Sequence, residues 1–524
     1  MPKSVTSSAA ELVRPVTAGR QIGNALVNYA GGVVALGSML AFQVAYSHMV
    51  SAEVFGLISL LFTVTLVLPA FDFGVGRTVG RILAERLPDL DVADQLRTDV
   101  LTLQVINGAI GILLGGALAL AAEWISVGWL RPVDLGVAEV AAAVVLVGAN
   151  VPWLMARQFI TACFNAMQRQ ALANALLVAF VVLRGGAGIL TLSGPNPVVT
   201  FLVFQLSVNF LDVLVGMGIL WGLIPGPRGL PRLNFSVVRQ WWRFAAGDGA
   251  TSFIGVATMH MDKVLLSALL PLSVYGAYAL IATVATGIGR IAGPTAVAFL
   301  PYFVELYTSG RHRQLTGNYL LATQLSACIV FPVAAVLVVF APDIVPALLL
   351  NAPLGGELAM VFALLVVAST LANLMQLPHA IQLAMGNSMI ALRFGAMNAL
   401  TYLILVIVLT PRLGVLSPAL SLLGVYGISM CFFVHATHRA VRVSTRRWLW
   451  EGTGRVALAS IGIALAVAWL VPRGIGQLWG SCALLGSMAA ASGAALGLTP
   501  GAWGAVLDFV RQARGRTKTA VVGR

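Results

Sequence analysis

Charge is what this chain has least of. Only 10% of its 524 residues are Asp, Glu, Lys or Arg, against about a quarter in an ordinary soluble domain. Acids are the scarcer sign: 19 Asp and Glu stand against 32 Lys and Arg, a net charge of +13. So few charges cannot cover the surface of a soluble protein of this length, which excludes a soluble enzyme. Cysteine is equally thin. Cys163, Cys328, Cys431 and Cys482 lie far apart, each in or beside an apolar run. With no Cys-x-x-Cys or Cys/His spacing, neither a disulfide framework nor a zinc site is expected. His48, His260, His312, His379, His435 and His438 are scattered, and Asp134, Glu139, Asp343 and Glu357 form no paired-carboxylate motif, so catalysis has no legible centre. The first residues carry Lys3, Arg14 and Arg20 without a short apolar region and a small-residue cleavage site, and do not read as a removable signal peptide.

Hydrophobicity is what the chain has instead. Apolar residues make up 59% of it, and the mean hydropathy is +0.92. The apolar runs are about 20 residues long, the length of a transmembrane helix and twice that of a barrel strand. Fourteen such segments lie near 22–48, 54–80, 99–122, 137–162, 170–192, 198–223, 246–270, 274–302, 317–341, 357–383, 388–410, 414–437, 455–472 and 476–499. The expected fold is an all-α polytopic membrane protein with about 14 transmembrane helices. Leu270–Ser273 and Pro411–Gly414 leave only a few residues between spans, and their Pro and Gly end one helix and permit reversal.

The basic residues predict orientation. With the N-terminus and the even-numbered loops inside, 22 Lys and Arg face the cytoplasm and 3 (Arg131, Arg412, Arg473) face out. The positive-inside rule then places both chain ends in the cytoplasm. These loops are expected to rest on anionic membrane lipid, with Leu83, Leu87, Leu90 and Leu96 forming an apolar stripe on the 81–98 loop.

Two stretches match at an offset of 220: Ser51–Leu60 (SAEVFGLISL) and Pro271–Leu280 (PLSVYGAYAL). Phe55-Gly56 falls on Tyr275-Gly276, and Glu85 on Glu305. A duplication predicts two six-helix lobes in parallel orientation: residues 1–223 and 246–437, joined by a basic cytoplasmic linker, 224–245. Residues 438–524, two further helices and a basic tail, are an addition at the edge.

Several charges fall within or at the ends of the spans: Arg77, Arg81, Arg157, Arg184, Lys263, Arg290 and Arg393, with Asp72, Asp212, Asp248 and Asp262. Each costs about 2.5–3.5 kcal/mol at a helix centre on the insertion scale, so each needs water, a partner or a substrate. Arg77 sits among closely spaced glycines, Gly74, Gly76 and Gly80, which permit bending, and shares a helix face with Arg81. Arg290 precedes Gly293-Pro294, where a proline bend suits a cavity-lining span. Arg157 and Arg184 have two readings, pairing with Asp212 or lining a cavity. Asp262 and Lys263 are neighbours pointing about 100° apart and are not expected to pair with each other. The candidate anion-binding cavity is therefore Arg77, Arg81, Arg157, Lys263, Arg290 and Arg393. Asp72, Asp248 and Asp262 are candidates for coupling to H⁺ or Na⁺. No metal or other cofactor is expected, and the basic surplus is read as topology, not nucleic-acid binding.

Three stretches carry a family resemblance. Ala52–Leu60 running on to Asp72-Phe-Gly-Val-Gly-Arg77 is the first. Met261-Asp-Lys-Val-Leu-Leu266, Val274-Tyr-Gly-Ala-Tyr278 and Pro301–Leu306 form the second. Leu383-Ala-Met-Gly-Asn387 with Thr410–Pro418 is the third. In this order they resemble the Wzx-like polysaccharide flippases of the multidrug/oligosaccharidyl-lipid/polysaccharide (MOP) exporter superfamily. Ser417-Pro418 departs from the family's usual Gly-Ala. The resemblance implies two six-helix bundles in a V, and transfer of an undecaprenyl-diphosphate-linked oligosaccharide between leaflets of the bacterial inner membrane. It implies work beside a polymerase and a chain-length regulator. It also matches Asp262 to the family's aspartate in the seventh span, with Lys263 where Arg is usual. Sugar recognition is expected from scattered polar residues such as Asn165, Gln168, Asn209, Asn373, Gln376 and Asn398. Three alternatives stay open: a lipid II flippase, a cation-coupled multidrug exporter, and a membrane glycosyltransferase or polymerase.

Overall fold

The computed structural model describes residues 18–67, 71–87, 93–194, 196–226, 232–349, 355–386, 388–441 and 443–470, with most of 486–499. Every regular element among them is a helix. In chain order the main ones are α1 (Ala18–Met49), α2 (Ala52–Val67), α3 (Val75–Arg86), α4 (Ala93–Leu120), α5 (Val137–Ala166), α6 (Gln170–Leu192), α7 (Pro197–Leu223) and α8 (Ser236–Leu269). There follow α9 (Leu272–Thr286), α10 (Ile288–Thr308), α11 (His312–Val339), α12 (Gly355–Leu374), α13 (Gln376–Ala384), α14 (Ser388–Leu413), α15 (Leu416–Ser429) and α16 (Arg455–Leu470). Where they are described, the first thirteen apolar segments of the sequence fall mainly on helix, the second being broken between Val67 and Val75, and ten described helices are long and apolar enough to cross a membrane. The fourteenth segment, 476–499, lies partly outside the described residues.

The reversals follow local chemistry. Only Leu270 and Pro271 separate α8 from α9. Asn196 takes a left-handed conformation (φ 53°) and hands the chain to Pro197, whose fixed φ suits the first turn of α7. Gly414, at φ 51°, turns the chain after α14, a conformation without steric penalty only for glycine.

The helices gather into two compact units, Met1–Leu280 with Leu349–Pro353, and Ile281–Leu348 with Leu354–Arg524. In the first, Val79, Ile82, Leu83 and Leu96 pack against Phe159, Ile160 and Phe164 of α5. This corrects the lipid-facing leucine stripe. Leu83, Leu87 and Leu96 are buried in protein, and helix continues to Arg86 and resumes at Ala93. In the second unit, Phe303, Leu306, Tyr319, Leu377, Ile381 and Trp448 form the core.

The two repeat stretches begin alike. Helix α2 starts at Ala52 and α9 at Leu272, 220 residues apart, and each gives way after four turns to a second helix, α3 and α10. The second break falls at Gly287, upstream of the expected bend at Pro294.

Candidate functional site

The break between α2 and α3 is built by three residues. Phe73 (φ 48°) and Gly74 (φ 76°) reverse the chain, and Asp72 then caps the new helix. Its Oδ1 accepts the Gly74 N–H at 2.8 Å and its Oδ2 the Gly76 N–H at 3.2 Å. A carboxylate at a helix N-terminus satisfies otherwise unpaired amides and opposes the positive end of the helix dipole. Both oxygens of this coupling candidate are thus engaged by main chain. Arg77 and Arg81 follow on α3, both exposed. Arg81 pairs with Glu85 at 2.7 Å and lies over the Trp241 ring, 5.0 Å from its centroid.

The buried ionic cluster lies on α5, α6 and α7. Asp212 is fully buried, with Oδ1 2.5 Å from Arg157 Nη1 and Oδ2 3.9 Å from Arg184 Nη2. Arg184 Nη1 donates to Asn209 Oδ1 at 2.6 Å, and Asn209 Nδ2 donates to Asn150 Oδ1 at 2.8 Å. Two guanidiniums share one carboxylate, so the cluster keeps a positive charge inside the spans. The pairing reading of Arg157 and Arg184 is therefore present, and it leaves cation in excess. Asn209 serves this network. Asn373 likewise bonds to Gln376 at 3.2 Å and Asn398 accepts from Ser429 at 2.5 Å, so these amides are occupied within the protein.

A second polar line joins α8, α9 and α2. Tyr278 donates to Asp262 Oδ2 at 2.6 Å, and one turn earlier Tyr275 and Thr63 hydroxyls lie 2.8 Å apart. Asp262 and Lys263 are 6% and 2% exposed. Asp262 Oδ1 has no hydrogen-bond partner among the described residues. Lys263 makes no ion pair among the described residues, consistent with the expectation that the neighbours point apart. Asp248 on α8 and Arg290 on α10 have side chains outside the described set. Arg393 on α14 is exposed. The first unit thus holds Asp72, Arg77, Arg81, Arg157, Asp262 and Lys263, with Arg157 drawn into the one cluster described above.

Glu53 was not among the expected site residues. It is 4% exposed and its carboxylate accepts three main-chain N–H groups, Val133 and Asp134 at 2.6 Å and Leu135 at 3.0 Å. The repeat placed it in a distinctive stretch, but its partners lie some 80 residues on, and no local pattern reports them. The first unit also holds an apolar cavity of ≈ 330 Å³, walled by residues including Leu60, Val64, Leu114, Trp129, Val147 and Val264. Its two wall hydroxyls are occupied. Thr63 bonds Ser59 and Tyr275, while Ser267 donates to Val264 and accepts from Trp129. Apart from the Trp124 indole N–H, such a wall offers little to sugar or phosphate and suits hydrocarbon.

Comparison with known proteins follows the same lines. An inward-facing multidrug resistance MATE family transporter of the MOP superfamily superposes with a TM-score of 0.62 at 14% identity, covering 80% of this chain and 99% of its own. The lipid II flippase MurJ, in an inward closed conformation, superposes with a TM-score of 0.63 at 10% identity, covering 90% and 97%. A MOP superfamily transporter from Pyrococcus furiosus gives 0.53 at 14% identity, covering 83% and 98%. The fold is that of the MOP transporters. No protein of curated function matches the sequence. The family described as polysaccharide biosynthesis protein matches residues 23–307, more than half of the 524 residues, and the chain belongs to that family.

Proposed function

We propose that the protein is a flippase that carries an undecaprenyl-diphosphate-linked oligosaccharide from the inner to the outer leaflet of the bacterial inner membrane. The product feeds O-antigen, capsule or exopolysaccharide synthesis, with a polymerase and chain-length regulator as pathway partners. Both chain ends lie in the cytoplasm, and transport runs by alternating access without catalysis. One observation carries this reading: Arg157 and Arg184 share the carboxylate of Asp212, which leaves cation in excess among the described residues of these spans in a polysaccharide-biosynthesis protein. Guanidinium stays charged and binds phosphate bidentately, which suits a diphosphate-linked lipid. Arg77, Arg81, Lys263, Arg290 and Arg393 are further candidates for meeting the diphosphate, and Asp262 and Asp248 are the candidates for coupling to H⁺ or Na⁺.

Depletion of the protein tests this reading. Lipid-linked oligosaccharide should accumulate on the inner leaflet and surface polysaccharide should fall. Normal surface polysaccharide in a deletion strain without a redundant flippase would sink the proposal. The coupling is tested separately: D262N transport should lose its response to pH or Na⁺, and a wild-type response would remove Asp262 from the mechanism. A lipid II flippase is the second reading, favoured by the likeness to MurJ. Rescue of a strain lacking its own lipid II flippase would select it.

A further inference from the structure

The corner that enters α16 has a buried side and an exposed side that differ in chemistry. It joins two apolar helices long enough to span, Leu416–Val441 and Thr445–Leu470, so it lies at a membrane–water boundary. On the buried side Trp448 is 0% exposed and donates from Nε1 to Thr323 Oγ1 of α11 at 3.0 Å. His438 packs edge-on against it, with Nε2 2.9 Å from the Tyr319 hydroxyl and Nδ1 3.0 Å from Thr445 Oγ1. Trp448–Gly454 is wound as a π-helix, and Gln324 Nε2 donates to the Glu451 carbonyl at 3.1 Å. π-Turns recur at functional sites because they re-aim side chains. Here the turn is pinned to α11 at several points.

The exposed side carries Arg446, Arg447 and Arg455 beside Leu449 and Trp450. Arg447 Nε pairs with Glu451 at 2.8 Å, and Arg455 lies over Trp450, 5.9 Å from the ring centroid. Arg446 makes no ion pair among the described residues. Arg446 and Arg447 thus line, with Glu451, Leu449 and Trp450, a depression of ≈ 910 Å³, and Arg455 adjoins it across the Trp450 ring.

We propose that this corner binds the head group of an anionic glycerophospholipid. Charge decides the occupant. Arg446 and Arg455 are left to meet a phosphate, while Leu449 and Trp450 lie where the acyl boundary begins, the usual station of interfacial tryptophan. A lipid-linked glycan is disfavoured. Among the described residues, Ser444 and the Trp450 indole are the depression's only uncharged polar side chains, so sugar hydroxyls meet few uncharged partners. The site does not depend on which molecule the protein transports.

The test uses the full-length protein in nanodiscs, with phosphatidylglycerol and phosphatidylcholine as probes and native mass spectrometry as readout. Phosphatidylglycerol should be retained preferentially. R446Q/R455Q should weaken that preference about 25-fold, from about fivefold per arginine near a membrane surface. R446K/R455K should keep most of it, and R412Q, at another loop, should keep all of it. Thermal midpoints of the variants should match wild type. Equal retention of the two lipids, an unchanged preference in R446Q/R455Q, or tighter binding of undecaprenyl diphosphate than of phosphatidylglycerol would each overturn the proposal.

Discussion

Gly56 and Gly276 occupy the same place in the two repeat stretches, and they touch each other. A methyl group on Gly276 would lie 2.7 Å from the Gly56 Cα and from the Gly56 amide nitrogen. A methyl on Gly56 would strike the Leu272 carbonyl. Helices α2 and α9 therefore meet backbone to backbone, an approach that only small residues allow in a membrane.

G276A and G56A should each push the helices apart and lower stability by about 1–3 kcal/mol, the usual cost of overpacking. Gly32 and Gly37 are the controls. Nothing lies within 4 Å of a methyl at either position, so alanine there should be neutral or slightly stabilising. Thermal unfolding in detergent checks the ranking. G276A melting with wild type would show that the close contact does not form.

Glu53 should act as a clamp on residues 133–135. E53Q keeps the shape but replaces one acceptor oxygen with a donor facing main-chain N–H groups. The loss of hydrogen bonds to a charged acceptor should cost about 1.5–3 kcal/mol each, partly regained by rearrangement. Amide hydrogen exchange at Val133, Asp134 and Leu135 should accelerate in E53Q while the interior of α5 is unchanged. Wild-type protection at those amides would show that the carboxylate does not hold them.

Trp448 should hold the corner before α16. W448F keeps most of the ring packing and loses the bond to Thr323, so it should cost about 1 kcal/mol. W448A opens a cavity among His438, Tyr319 and Thr323 and should cost about 3–5 kcal/mol. Unfolding midpoints should rank wild type, W448F, W448A. Equal midpoints for the two variants would mean that the buried network contributes nothing beyond the hydrogen bond.

The spans were legible because a membrane demands long apolar helices, and length alone reveals them. The matching helix starts at Ala52 and Leu272 were legible because a turn, a glycine and an aromatic residue recur together at 51–60 and 271–280. Leu83, Leu87 and Leu96 face protein and not lipid, for a physical reason, while Leu90 lies outside the described residues. Periodicity marks an apolar face, but lipid and protein interior are both apolar, so it does not say which one the face meets. The capping role of Asp72 was not legible, because it depends on a left-handed backbone at Phe73, which no residue preference announces. Asn150 and Asn209 entered the cluster through contacts among three consecutive helices, α5, α6 and α7, which a linear pattern does not report. There, charge scarcity identified the arginines and the aspartate, but not the amides that complete their bonding.

Asp212 offers the sharpest separation of structure from transport. Its removal leaves Arg157 and Arg184 buried without a counter-charge, so D212A should cost about 3–5 kcal/mol. R184Q should cost less, since the closer partner, Arg157 at 2.5 Å, keeps the carboxylate paired. D212N/R157Q replaces the close ion pair with two neutral amides that can bond to each other, so stability should return towards wild type. Transport should not return with it, because the cationic surplus that would meet a diphosphate has been weakened at Arg157. Unfolding midpoints and surface polysaccharide, measured on the same variants, check the two halves. Full transport by stable D212N/R157Q would make the cluster a scaffold and move substrate binding elsewhere. An unchanged midpoint in D212A would show that Asp212 does not hold the two arginines together.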